Sequence, residues 1–206
     1  MGGAGSPGER VPARSPGPKV GVLALQGAFA EHAEALDALG AHAVLVRSPS
    51  DLAGVDAVVL PGGESTTMSM LLESSGLRDA LAERLADGLA AFGTCAGLIL
   101  LAREVADGRP DQRSFGVLDV GVVRNGYGRQ RDSFEVALDV PAIGGEPFSG
   151  VFIRAPRIAD VGADVTVLAS VGGDPVLVRQ GPILAAAFHP ELARDLRLHH
   201  LFLERV

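Results

Sequence analysis

LAAFGTCAGLILL, residues 89–101, carries a short aliphatic segment through Gly93-Thr94-Cys95-Ala96-Gly97 into a second apolar segment. The pattern predicts a buried strand over 89–94 that turns sharply into a helix running from Gly97 to about Arg103. Glycine two positions before and two after a Cys has the form of a nucleophile elbow. Such a turn forces the central residue into a strained backbone conformation. A side chain at either glycine would collide with the neighbouring chain. A sulfur at a helix start also faces unpaired N–H groups and the positive end of the helix dipole, which favour the attacking thiolate. Cys95 is the one cysteine of the chain, so internal disulfides and a thiolate-only metal site are excluded. The plain alternative is a small buried hydrophobe in a glycine-flanked turn. The intact spacing favours the nucleophile.

Outward from the elbow, the same rhythm repeats. KVGVLAL (19–25), HAVLVR (42–47) and DAVVLPGG (56–63) read as buried strands. Residues 28–39 place Phe29, Ala33, Leu36 and Leu39 at helical spacing, and Gly40 closes that helix. Two more helical stretches, 65–75 and 77–87, are separated by Gly76. Alternating strands and helices predict an open, mostly parallel α/β sheet with covering helices. Beyond about residue 114 come short strands with turn residues between them. They should add an antiparallel section before the chain returns to the parallel core, with a helix over about 191–204 outside it.

Composition agrees with one domain. The chain has 206 residues, 47% hydrophobic, enough for one proper core and too little for two ordinary domains. Its net charge of −7 gives no electrostatic footprint for nucleic acid or an anionic membrane. Residues 1–18 are rich in Gly, Pro, Ser and Arg, lack a secretory apolar stretch, and read as a flexible tail before a single domain over 19–206. No aliphatic run approaches the roughly 20 residues of a membrane span, and the expected compartment is the cytosol.

A thiolate nucleophile needs a base and a group to orient it. ILAAAFHPEL (183–192) delivers His189 at the tip of an aliphatic strand, with Glu191 two residues on. In an extended chain, positions i and i+2 face one side, so Glu191 can accept from one imidazole nitrogen while the other faces Cys95. His32, His42, His199 and His200 lack this context and read as solvated or structural. The loop Pro61-Gly62-Gly63-Glu64-Ser65-Thr66-Thr67 ends a strand at the edge where open α/β sheets bind ligands. Ser65 or Thr66 could cap the next helix. The N–H groups near Gly63, with that of Ala96, are candidates for an oxyanion hole.

Taken in order, these pieces resemble the class I (triad) glutamine amidotransferases. LALQGAFAEH (23–32), LPGGESTTM (60–68), GTCAGLILLA (93–102), RNGYGRQRDSFE (124–135), FIRAP (152–156) and AAFHPEL (186–192) are similar to the glutaminase subunits of pyridoxal 5′-phosphate synthases. The resemblance runs from Lys19 to the C-terminus. It implies a flavodoxin-like fold that hydrolyses L-glutamine to glutamate and ammonia. It further implies a barrel-shaped synthase subunit as partner, which takes the ammonia and activates the glutaminase on docking. No metal or organic cofactor is implied for this chain. The implied triad is Cys95, His189 and Glu191. The implied glutamine contacts are Gly63, Glu64, Ser65, Arg124, Ile153 and Arg154, either arginine being able to meet the α-carboxylate and Glu64 the α-ammonium or the docked loop. The tail and the altered segment 107–115 depart from the family pattern. Competing readings are a glutaminase serving another synthase, such as that for imidazole glycerol phosphate, a non-catalytic subunit with a structural thiol, and a Cys hydrolase of another acyl substrate.

Overall fold

The computed structural model describes residues 17–108, 112–126 and 133–206. The tail up to residue 16, part of the 107–115 segment and residues 127–132 of the RNGYGRQRDSFE motif lie outside the described residues. The first half alternates as expected: β1 (Lys19–Leu23), α1 (Phe29–Ala38), β2 (His42–Val46), α2 (Pro49–Leu52), β3 (Ala57–Leu60), α3 (Ser65–Ser74), α4 (Leu77–Ala86), β4 (Ala90–Thr94) and α5 (Ala96–Leu101). Gly76, between α3 and α4, adopts φ 73°, a left-handed conformation that glycine takes at little cost.

The second half is strand-rich: β5 (Ala102–Val105), β6 (Leu118–Val123), β7 (Ser133–Leu138), β8 (Phe148–Ile153), β9 (Arg157–Val161), β10 (Thr166–Val171), β11 (Asp174–Gln180) and β12 (Ile183–Ala186), then α6 (Arg197–Leu203). The main sheet has the order β10-β11-β12-β4-β3-β1-β2. Its β12, β4, β3, β1 and β2 pair in parallel, while β10 and β11 add antiparallel strands at one edge. Two small sheets, β5-β6-β9 and β7-β8, stand beside it. The inner strands are solidly aliphatic because they are covered on both sides: Val22, Val58, Val59, Leu60, Phe92 and Ala185 are wholly buried.

This topology aligns strand ends. Leu60 of β3 pairs with Gly93 of β4, and Ala186 of β12 pairs with Thr94. The segments leaving β3, β4 and β12 therefore emerge side by side, about 4.8 Å apart, at the carboxyl edge of the sheet.

Three local expectations are corrected. The helix after Cys95 stops at Leu101 rather than near Arg103, because Ala102 pairs with Leu118 and opens a strand. Arg103 then bridges Asp119 of β6 and Asp160 of β9, which fixes it in that small sheet. The C-terminal helix is not continuous over 191–204. A single 3₁₀ turn, Pro190–Leu192, precedes Arg194 in a left-handed conformation (φ 54°), and α6 starts only at Arg197. The short α2 was not anticipated. Ser48 precedes it, Pro49 occupies its first turn, and the Asp51 carboxylate accepts the Ser48 N–H at 2.9 Å, a local N-terminal signature.

Candidate active site

Cys95 joins β4 to α5 with φ 49° and ψ −102°, outside the regions a residue with a side chain ordinarily occupies. Its N–H donates to the Ala186 carbonyl at 2.8 Å, which ties the elbow to β12. The flanking glycines are required by close approach. A Cβ on Gly97 would lie 1.9 Å from the Leu60 carbonyl oxygen, and one on Gly93 would lie 2.8 Å from the Gly97 carbonyl. Three backbones thus meet where the sulfur is presented.

His189 stands three residues beyond β12, its N–H donating to the Val151 carbonyl of β8 at 2.8 Å. Its Nδ1 lies 2.8 Å from Glu191 Oε1, leaving Nε2 for the hydrogen bond to Cys95. The contact does not arise from an extended chain as expected. Pro190 and Glu191 form the 3₁₀ turn, which curls the carboxylate back beneath the ring. Burial alone would push the His189 imidazolium down. Hydrogen bonds and charge interactions with Cys95 and Glu191 overcome this and carry it up to about 10. At neutral pH the ring is an imidazolium and can donate a proton.

The neighbouring loop supports the ring from the other side. A Cβ on Gly62 would fall 2.3 Å from His189 Cε1, so this glycine packs flat on the imidazole. The next residues differ from the capping expectation. Glu64, rather than Ser65 or Thr66, caps α3: its carboxylate accepts the Thr66 N–H at 3.1 Å and the Thr67 N–H at 2.7 Å. It also accepts the Thr67 hydroxyl at 2.7 Å and pairs with Arg124 at 2.8 Å. Partial burial raises the Glu64 carboxyl, but the bonds from Thr67 and Thr66 prevail and hold it at about 2.

A cavity of about 380 Å³ opens onto Cys95 and His189. All six residues expected to touch substrate, Gly63, Glu64, Ser65, Arg124, Ile153 and Arg154, line it. Arg154 is held at φ 42°, the second strained non-glycine residue at the cavity, and among the described residues it has no acidic partner. Ala96 opens α5 directly behind Cys95, in the first turn where N–H groups lack intrahelical acceptors.

The structure adds residues that the sequence reading passed over. Gln26, Ile99 and Asn125 also line the cavity, and Gln26 Oε1 accepts the Glu64 N–H at 2.9 Å. Gln112 Nε2 donates to Ser65 Oγ at 3.0 Å. His32 and His199, read as solvated or structural, are fully buried; His32 Nε2 lies 3.3 Å from Glu191 Oε2 and His199 sits against the other His32 nitrogen, whereas His42 and His200 are exposed. Gln26 and His32 stood within a quoted motif, LALQGAFAEH. His199 carried no local signal. Among the described residues no group of His, Cys, Asp or Glu could hold a metal ion, and no helix is long and apolar enough to cross a membrane.

Comparison with known proteins agrees with this geometry. The SNO glutamine amidotransferase family matches residues 22–206. The pyridoxal 5′-phosphate synthase subunit PdxT of Thermotoga neapolitana is 53% identical over 188 residues, 91% of this chain and 99% of its own. That of Frankia casuarinae is 55% identical over 190 residues, 92% of this chain and 96% of its own. A crystal structure of a glutamine amidotransferase, 53% identical, matches with a TM-score of 0.83 over 90% of this chain and 97% of that one. The PurLQS structure from Thermotoga maritima, 16% identical with a TM-score of 0.66, shares the fold alone. With a family match over residues 22–206 and relatives of this identity, the chain belongs to the SNO glutamine amidotransferase family.

Proposed function

We propose that residues 19–206 form a single glutaminase unit of a pyridoxal 5′-phosphate synthase, hydrolysing L-glutamine and passing the ammonia to a synthase subunit. The observation that carries this reading is that Cys95 and His189, the latter backed by Glu191, open onto a cavity lined by all six expected glutamine contacts. The relatives 53% and 55% identical to this chain are subunits of that synthase, which disfavours the imidazole glycerol phosphate alternative.

Glutamine enters with its side-chain amide against Cys95. Arg124 is engaged by Glu64, so Arg154 is the better partner for the α-carboxylate, and Glu64 serves to fix Arg124 and α3 rather than to meet the ammonium alone. The thiolate attacks the amide carbonyl carbon, forming a C–S bond while the oxygen takes the negative charge. N–H groups at Gly63 and Ala96 stabilise that oxyanion. The His189 imidazolium gives its proton to the nitrogen, the C–N bond breaks and ammonia leaves. Neutral His189 then takes a proton from water, whose oxygen attacks the thioester. The C–S bond breaks, glutamate departs and the thiolate–imidazolium pair is restored, with Glu191 orienting the ring throughout. The chain needs no cofactor of its own for these steps.

The partner in this reading is a barrel-shaped synthase subunit that joins the ammonia to sugar phosphates and docks over the acidic outer face of α1 and the Gly63 loop. The reaction belongs in the cytosol. Ammonia release from glutamine, measured for the chain alone, with the synthase subunit, and with Cys95→Ala in that complex, tests it. Release should require the complex and vanish with Cys95→Ala. Release by the variant, or none from the wild-type complex, overturns the reading.

A further inference from the structure

Glu191 is a carboxylate with its whole side chain buried and only one oxygen, Oε1, on the catalytic imidazole. Its other oxygen, Oε2, has no well-aligned hydrogen bond among the described residues, and His32 Nε2 lies 3.3 Å from it. The same His32 Nε2 is 3.1 Å from Thr94 Oγ1, the residue before Cys95, and His32 Nδ1 is 2.9 Å from His199 Nε2. This row of groups leads from β4 and the 3₁₀ turn, through α1, to α6.

Which nitrogen carries each proton follows from the donors and acceptors present. A carboxylate accepts only, so a lone pair on His32 Nε2 aimed at Oε2 would be repulsive. The proton belongs on His32 Nε2, shared between Oε2 and Thr94 Oγ1. His32 Nδ1 is then an acceptor and takes the Nε2–H of His199. His199 Nδ1, buried and without a partner among the described residues, is left as an unprotonated nitrogen, so no N–H is stranded. Both rings must be neutral for this arrangement. Burial first, then the nearby His199 and His189, holds the His32 imidazolium well below its usual range, and burial pushes His199 down to about 4. Phe92 stands edge-on to both rings, at 6.2 and 5.7 Å between centroids, and fixes their planes.

We infer that His32 is a positioning residue for the triad, its Nε2–H fixing the rotamer of Glu191, with His199 setting the tautomer of His32. The reading rests on the glutaminase assignment, but half its test does not. His32 would act through Glu191 on His189, and through His189 on the readiness of the thiolate.

The two amide replacements separate its two contacts. Glutamine sets its amide near the position of Nε2, facing Glu191; asparagine sets it near Nδ1, facing His199. Two measurements apply to each variant: ammonia release by the complex, and the pH dependence of Cys95 alkylation by iodoacetamide, which needs neither glutamine nor partner. His32→Gln should stay near wild type. His32→Asn should lose about 10- to 100-fold in kcat with little change in KM, and its alkylation midpoint should move to higher pH. His199→Gln, which keeps the donor to His32, should resemble wild type. Equal behaviour of the Gln and Asn variants, whether active or inactive, overturns the inference, as does an unshifted alkylation profile in His32→Asn. A wild-type complex that releases no ammonia refutes the glutaminase reading instead, and the alkylation profiles still decide the role of His32.

Discussion

Replacing Gly62 by alanine adds one methyl group against the His189 imidazole, the proposed catalytic base. Gly62 is not among the glycines with a left-handed φ, so the backbone accepts alanine and the contact alone is probed. The new Cβ would lie 2.3 Å from His189 Cε1 and 2.8 Å from Nδ1. Carbon atoms in ordinary contact stand about 3.5–4.0 Å apart, so ring and loop must separate by more than an ångström. The ring is held by Glu191 at 2.8 Å on one nitrogen and by Cys95 on the other, so it cannot move that far and keep both. A displacement of about 1 Å at a reacting group costs about 100-fold in rate, or about 2.7 kcal/mol of transition-state stabilisation. Overpacking should also lower stability by about 1–3 kcal/mol.

Ammonia release by the complex reads the first effect and thermal unfolding the second. Because Gly62 precedes the proposed oxyanion donor, the alkylation rate of Cys95 against pH is needed to isolate the ring. Gly62→Ala should raise the midpoint of that profile, since a displaced imidazolium no longer stabilises the thiolate. A variant that keeps kcat within about threefold of wild type, with an unmoved alkylation profile, would show that the packing of Gly62 on His189 does not set the ring's position.

Cys95→Ala should bring the His189 titration well below 10, because the bond and charge that raise it are removed while its burial remains; an unchanged value by histidine NMR would remove Cys95 as the cause. Glu64→Gln should cost about 1 kcal/mol through the weakened cap of α3, and free Arg124 should change KM more than kcat. The Glu64 carboxyl is depressed, so its share of stability is present above about 4.5 and is lost as pH falls toward 2; that acid slope should flatten in the variant, and an unaltered slope would refute the capping bonds as its cause. His199 is also depressed, to about 4, so the unfolded chain takes up its proton first as pH falls below about 6.5, and stability should decline between there and pH 4 by up to about 3 kcal/mol. His189 shifts the opposite way and is protonated in both states at the acid end of that window. A thermal midpoint whose slope over pH 6.5–5 is the same in wild type and His199→Gln would exclude the effect.

What could be read from the chain was local. The inner strands announce themselves as aliphatic runs, and the elbow as a glycine spacing whose reason is a 1.9 Å approach of Gly97 to the Leu60 carbonyl. The parallel core and the contact of His189 with Glu191 therefore emerged from residues close in sequence to their own cause. The errors lie where a distant partner decides. Ala102 leaves a helical pattern because Leu118 offers a strand, and Arg194 breaks the last helix within a stretch that reads as continuous. Glu64 caps α3 through the Thr66 and Thr67 N–H groups, and the same carboxylate also meets Arg124, 60 residues away. His32 and His199 are separated by 167 residues and meet only once α1 and α6 pack. His32 lies within a quoted motif that does not mark its role, and His199 carries no local signal.

Strain and support are distributed in a way that links substrate recognition to the base. Among the described residues three non-glycine positions have φ in the left-handed region, Cys95, Arg154 and Arg194, and the first two face the cavity. Each such residue costs about 1–3 kcal/mol and persists only where its surroundings fix it. For Cys95 the fixing groups are the Ala186 carbonyl and the packed glycines. For Arg154 it is β8, which ends at Ile153 and is anchored through Phe152 in the core. The same strand supplies the Val151 carbonyl that holds the His189 N–H at 2.8 Å. The group proposed to take the α-carboxylate and the imidazole proposed to move the proton therefore hang from one strand, at Arg154 and Val151. A ligand that pulls on Arg154 acts on the backbone that positions His189, and an arginine restored to an ordinary φ would have to rotate that strand end. In the proposed reaction, binding the far end of glutamine and aligning the imidazole with Cys95 would both follow from the same backbone geometry.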